Sequence, residues 1–192
     1  MKSASLIGKT KEGLYLIQAR TVYNPKLEPG KYPFTFPGAC SLFGGDLEEN
    51  EDYAEGFKRE INEELPGLKI GEMKHKVYKW KEHLDEVYNR LNKAFHGNLP
   101  AFLGFQLNEK IPQEALGKNR GKELTYREWI EEHEEDNYFI STINIEELKR
   151  IKLNEGRKIL LLPAEAVMSI IMVPTDKLTI LDEIANSGRI DL

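Results

Sequence analysis

The segment from Gly44 to Leu68, GGDLEENEDYAEGFKREINEELPGL, constrains this chain more than any other stretch of its 192 residues. Pro66-Gly67 is a stop, and the spacing before it predicts a helix over Asp52 to Leu65. Tyr53, Ala54, Phe57, Ile61 and Leu65 form one apolar stripe that must face a core. Glu60, Glu63 and Glu64 stand beside it within roughly 100° of arc, so their carboxylates share one region. They occupy the last turns, where the helix dipole is already negative. Glu60 and Glu64 also repel each other across one turn, at a cost of roughly a few tenths of a kcal/mol. Gathering charge where the backbone disfavours it points to a bound cation. Clustered carboxylate oxygens suit Mg²⁺ or Mn²⁺, and no thiolate or histidine cluster asks for zinc. For the glutamates alone, a solvated acidic helix face is the commoner explanation.

Around this helix the chain alternates short apolar runs with helical patterns. Ala4 to Gly8 and Leu14 to Arg20 read as strands joined at Glu12-Gly13, and residues 21–37 as a proline-rich loop. Ala39 to Phe43 reads as a short strand ending at Gly44-Gly45, and Met73 to Trp80 as another strand. Residues 82–96 form a second helix, with Leu84, Val87, Tyr88, Leu91 and Phe95 on one stripe and Gly97 as its stop. Ala101 to Leu107 is expected as a strand. Thr125 and Glu128 form a capping box, Tyr138 to Ile143 is a strand, and Asn144 with Glu147 caps a short helix. An apolar segment at 159–173 precedes a helix from Asp176 to Asn186. Strands mixed with helices imply an α/β (α+β) chain with a mixed sheet.

The spacing in the first segment resembles the Nudix box, G-x5-E-x7-R-E-U-x-E-E-x-G-U, where U is aliphatic. Gly45, Glu51, Arg59, Glu60, Ile61, Glu63 and Glu64 stand at its fixed positions. The departure is Pro66 where the box has Gly; Gly67-Leu68 follow, a one-residue shift of the closing turn. Leu14 to Arg20, Phe36-Pro37-Gly38 to Gly45 and Glu146-Glu147-Leu148 are similar to the family's flanking elements. The resemblance implies an α/β/α sandwich over a single domain, 1–192, with an inserted helical segment at about 81–130 that serves specificity or dimerisation. It implies a hydrolase that cleaves a diphosphate linkage in a nucleoside diphosphate joined to another group, such as a nucleotide sugar, a nucleoside triphosphate or a related metabolite. Carried over by position, Glu60, Glu63 and Glu64 would be metal ligands for Mg²⁺ or Mn²⁺. Arg59 would orient a box carboxylate, Glu51 would support it, and Gly44-Gly45 would approach metal or phosphate closely. Family members often add a carboxylate before a late strand, and here Glu135 is the choice among Glu134, Glu135 and Asp136, with Glu123 more distant.

Two other readings share the fold: a nucleotide-binding or regulatory domain without turnover, and an isopentenyl-diphosphate isomerase-like enzyme. The intact box charges oppose the first. The second needs a histidine-rich metal site, and no histidine precedes His75. Cys40, the only cysteine, reads as a small buried residue, and its solitude suits a reducing cytoplasm. His75, His83, His96 and His133 have no metal-ligand spacing and are expected at the surface. Tyr32, Phe34, Phe36, Tyr78, Trp80, Tyr126 and Trp129 are candidates to stack on a ring, and 118–122 (KNRGK) to meet a phosphate. The net charge of −5 argues against a stable nucleic-acid partner. The opening residues lack the apolar core of a secretory signal, and the apolar stretch at 159–173 is too broken to span a membrane. The partner expected is therefore a small diphosphate. The stripe at 82–96 favours a homodimer, because exposed apolar stripes seek partners.

Overall fold

The sheet is organised by its first strand, which has three strand neighbours. In the computed structural model, which describes residues 1–23, 34–117, 121–153 and 158–188, β1 spans Lys2–Thr10. It pairs in parallel with β5 (Glu135–Ile143) along its whole length. On its other edge it is shared. Ser3 to Leu6 pair antiparallel with β3 (Phe43–Asp46), whereas Lys9 pairs with Tyr15 of β2 (Tyr15–Ala19). β4 (Met73–Tyr78) lies outside β5, and β6 (Lys158–Leu162) outside β2, giving a mixed sheet in the order β4-β5-β1-β2-β6 with β3 off that path. The sheet therefore forks at the middle of β1, with β3 on one branch and β2 on the other.

Side chains alternate across β1, and each parity packs its own layer. Ala4 and Leu6 meet Phe57, Ile61 and Leu65 of the first helical segment, together with Phe43 and Phe139. That helix is α1 (Tyr53–Glu64), whose N-cap Asp52 accepts from the amides of Ala54 and Glu55. Tyr53, expected on the buried stripe, is 44% exposed. The short α5 (Ile145–Leu148) joins this layer through Leu148. The other face carries Ile7, Tyr15, Ile17, Tyr78 and Trp80 under α2 (Trp80–Ala94), α3 (Leu99–Leu103), α4 (Tyr126–Glu131), α6 (Ala164–Ser169) and α7 (Pro174–Asn186). Helices on both faces of a mixed sheet make the expected α/β/α sandwich.

Polar groups tie α7 into this layer. Asp182 accepts from the Tyr78 hydroxyl at 2.7 Å and from Arg90 at 2.9 Å, linking α7 to β4 and α2. Lys177 is fully buried and its Nζ donates to the carbonyls of Val167, Met168 and Ile170 at 2.7–2.9 Å, capping α6. Burial pushes the Lys177 amine down to about 8.

Three expectations need correction. Ala101 to Leu107 is not a strand; the chain is helical over Leu99–Leu103. Pro100 sits in the first turn, Gly104 closes the helix at φ +79°, and Leu99 and Leu103 bury one face at i, i+4. A short apolar run carries no period that separates strand from buried helix. Gly44 and Gly45 do not end a strand but lie inside β3. The α2 stripe, read as exposed and seeking a copy, is spent within the chain. Leu84, Val87, Leu91 and Phe95 are all at most 4% exposed and join the core shared with α7. The reason given for a homodimer falls with that exposure.

Candidate active site

At the fork, side chains of α1 reach β2 and β3. Glu64 is 5% exposed, and its Oε2 accepts from the Gly44 amide at 2.9 Å and from Gln18 Nε2 on β2 at 3.3 Å. Ser41 donates to the other end of the Gln18 amide at 2.9 Å, fixing which way it points. Glu60 is equally buried. Its carboxylate lies against Gly45, where a Cβ would fall 2.7 Å from it, so only glycine leaves it room. Gly44 has φ +139°, and a Cβ there would strike the Ala4 carbonyl at 2.2 Å. The two glycines thus do different work. Gly44 satisfies the backbone of the fork, and Gly45 gives Glu60 its place.

Arg59 clamps this arrangement. Its Nε and Nη2 donate to both oxygens of Glu51 at 2.9 Å, its Nη2 to the Asp46 carbonyl at 3.1 Å, and its Nη1 to Glu60. The fork-to-fork pair with Arg59, together with the Glu48 amide, holds the Glu51 carboxyl down to about 2, while the same bonds raise the Arg59 guanidinium further above its usual range. Glu63 differs from its two companions. Its side chain is 44% exposed and meets Arg59 only at 3.5 Å. The structure therefore gathers Glu51, Arg59, Glu60, Glu64, Gly44 and Gly45, and leaves Glu63 at the rim.

Glu60, Glu64, Gly44 and Gly45 form one wall of a cleft of about 360 Å³. Ser3 and Ser5 of β1 lie between that wall and a second one made by His133, Tyr138 and Asp176. Arg20 and Phe34 stand at another side, the guanidinium 4.2 Å from the ring centroid, with Arg20 also donating to the Thr35 carbonyl at 2.9 Å. Asp176 accepts from the Leu42 amide at 3.0 Å and from the Tyr138 hydroxyl at 3.4 Å. Burial pushes its carboxyl up to about 6, against the opposing pull of the Leu42 amide.

Glu135, the expected late carboxylate, is not in this cleft. It pairs with Lys2, and its parity is that of Asn137, from which it accepts at 3.2 Å on the α1 face of the sheet. Asp136, one residue on, has the cleft's parity. It is 1% exposed and accepts from Ser3 Oγ at 2.8 Å and Trp80 Nε1 at 2.7 Å. A one-residue step along a strand exchanges the faces, and the register that decides it is not written in EEHEED. His133 is likewise not a surface residue but 7% exposed and part of the cleft. Of the ring candidates, Phe34 lines the cleft, whereas Phe36, Tyr78, Trp80 and Trp129 are core and Tyr126 packs against it. Tyr32 and residues 118–120 of the basic run lie outside the described residues. No lining residue comes from the described part of 81–130. Cys40 is half-buried beside Met172, and burial pushes its thiol up.

Among the described residues no three His, Cys, Asp or Glu side chains are gathered as a metal cage. Mg²⁺ does not need one, because it keeps several waters and takes one or two protein carboxylates. Glu60 and Glu64 offer two, both buried at one wall of the cleft, and the donor set is oxygen alone, so the residues present fit a hard divalent cation. Sulfur and imidazole donors that would favour zinc are missing from that wall.

No family model matches the sequence, and no curated protein matches it. Solved structures do. The chain is similar to a MutT/Nudix family protein from Listeria innocua, with 16% identity over 97% of this chain and 92% of that one, at a TM-score of 0.52. It is also similar to a bifunctional NMN adenylyltransferase/ADP-ribose pyrophosphatase from Francisella tularensis, solved with AMP and a manganese ion. There the identity is 11% over 97% of this chain and 42% of that one, with a TM-score of 0.51.

Proposed function

We propose that this chain, which has the Nudix fold, is a divalent-metal-dependent hydrolase of a diphosphate linkage in a small nucleotide-like metabolite. The observation that carries the reading is the convergence of Glu60 and Glu64 at one wall of the cleft, against glycines that leave their carboxylates room. Glu60 and Glu64 would hold Mg²⁺ or Mn²⁺. When bound, the cation would neutralise diphosphate charge and acidify a coordinated water. The chain's own residues do the rest. Arg59, anchored by Glu51, keeps Glu60 from swinging into solvent. The Gly44 amide and Gln18 hold Glu64 in one rotamer. Asp176, near neutrality in its affinity for a proton, is placed to accept or return one at the opposite wall.

Two supports stand behind this: the Nudix box spacing in the sequence, and a fold shared with a MutT/Nudix family protein and with part of a bifunctional NMN adenylyltransferase/ADP-ribose pyrophosphatase. The reading of a binding domain without turnover predicts a damaged box, and here every charged box position stands. The isomerase reading needs a histidine-rich metal site, and the wall that holds Glu60 and Glu64 carries no imidazole. We read 1–192 as one domain in which 81–130 braces the sheet under α7, and the cleft residues Arg20, Phe34, His133 and Asp176 as the source of specificity. No described helix is long and apolar enough to cross a membrane.

The test is a screen of nucleoside triphosphates, nucleotide sugars, ADP-ribose and dinucleoside polyphosphates with Mg²⁺, read as phosphate or pyrophosphate release. Glu64→Gln keeps the volume and an acceptor for Gly44 but removes the charge. Its turnover should fall by several orders of magnitude with the melting temperature little changed, because a neutral amide holds Mg²⁺ poorly. Turnover near the wild-type value would end this assignment.

A further inference from the structure

The imidazole of His133 is placed in a way that packing alone does not explain. It follows α4, where its amide donates to the Ile130 carbonyl at 3.1 Å, and its ring lies 4.5 Å from the Trp129 indole. The residue is 7% exposed, and neither ring nitrogen has a hydrogen-bond partner among the described residues. Asp136 Oδ1 comes to 3.5 Å from Nδ1, too far for a formed hydrogen bond, while it accepts from Ser3 Oγ at 2.8 Å. A neutral imidazole always presents one N–H and one bare nitrogen, and folded proteins rarely leave either unmet when buried. A phenylalanine would fill this space against Trp129 with no such cost. The unmet nitrogens therefore point to a ligand, and the residue lines the cleft.

Its position says which part of a ligand it would meet. On β1, Ser3 stands opposite Asp46 of β3 on one side and Asp136 of β5 on the other. The His133–Asp136 pair is thus two strand spacings, about 10 Å, from the β3 strand against which Glu60 and Glu64 lie. A diphosphate at the glutamates would carry its attached group to about that distance. Asp176 lines the His133 wall and the buried Asp136 lies behind it, so this side offers carboxylate acceptors and suits a group bearing hydroxyl or amino hydrogens.

We propose that His133 hydrogen-bonds the nucleoside part of a nucleoside diphosphate ligand, with its ring packed against Trp129. This rests on the cleft being the diphosphate site. His133 here selects and positions the ligand; the hydrolytic step belongs to the other wall.

The experiment measures calorimetric binding of α,β-methylene-ADP and of methylenediphosphonate, each with Mg²⁺, to the wild type, His133→Phe and His133→Gln, with ligand-free melting curves alongside. His133→Phe should melt at or above the wild type, because it removes two unmet nitrogens. It should bind α,β-methylene-ADP about tenfold more weakly, the worth of one hydrogen bond, and methylenediphosphonate equally well. His133→Gln should recover part of the lost affinity. Lower ligand-free melting temperatures in both variants would make the histidine structural and overturn the proposal. So would unchanged α,β-methylene-ADP affinity, or an equal loss for both probes. A wild type that binds neither probe would sink the diphosphate site together with this inference. If methylenediphosphonate binds the wild type but not Glu64→Gln while the nucleotide arm fails, the inference alone falls.

Discussion

Gly45→Ala separates the fold of the fork from its chemistry. A Cβ at position 45 would stand 2.7 Å from Cδ and Oε2 of Glu60 and 2.9 Å from Oε1, where ordinary contact begins at 3.4 Å. The carboxylate must recede by about 0.5–1 Å, an estimate from those same separations. What it meets is the far end of a side chain, not backbone, so the stability cost should stay near 1 kcal/mol, at the low end for overpacking. A displacement of about 1 Å in a group that places a reacting centre costs on the order of 100-fold in rate. The expected result is a protein that melts within a few degrees of the wild type and turns over about a hundredfold more slowly with the best substrate of the screen. Gly44→Ala is the contrast. Its Cβ would lie 2.2 Å from the Ala4 carbonyl and 2.6 Å from Ser5 Cα at φ +139°, all backbone terms. It should lose about 3 kcal/mol or more of stability. Wild-type turnover in Gly45→Ala would refute the role given to Glu60. A large stability loss in it would refute the division of labour between the two glycines.

Three further outcomes follow from the same structure. Asp176→Asn should make stability less dependent on pH. The buried carboxyl rises from 3.8 to about 6, so the folded state holds its proton more firmly than the unfolded one. That stability is complete below about pH 4 and lost as pH rises through 6, about 3 kcal/mol in all. The variant should therefore gain on the wild type in melts at pH 7–8 and not at pH 4, and equal gains at both would discredit the burial argument. Leu84→Glu with Leu91→Glu should abolish folding by circular dichroism, because each buries an unpaired charge at several kcal/mol against a total stability of about 5–15 kcal/mol. A folded monomer from a wild-type dimer would return α2 to an interface. MgCl₂ should stabilise the fold by about 2.7 kcal/mol at a hundredfold excess over its dissociation constant, seen as a higher melting temperature than in NaCl at matched ionic strength. Coincident curves would count against a cation at Glu60 and Glu64.

What the sequence determined is local. The α1 segment could be read with its stripe and stop because a helix is decided within a dozen residues, and the period of 3.6 places Glu60 and Glu64 together wherever the helix lies. The Thr125–Glu128 capping box and the hairpin at Gly13 were legible for the same reason. The tertiary structure decided everything that depends on which distant strand lies alongside. Parallel pairing of β1 with β5 puts Asp136 and Tyr138 on the face of Ser3 and Ser5 and Glu135 on the opposite one, a choice the run EEHEED leaves open because parity has no meaning until a register exists. The fork between β2 and β3 brings Gln18 to Glu64 across 46 residues of chain. Packing of α2 on α7 buried a stripe that periodicity alone could equally have given to a second copy. It was also packing, and no spacing, that buried Lys177 among three carbonyls and His133 with none, because burial belongs to the assembled layers and not to any one of them.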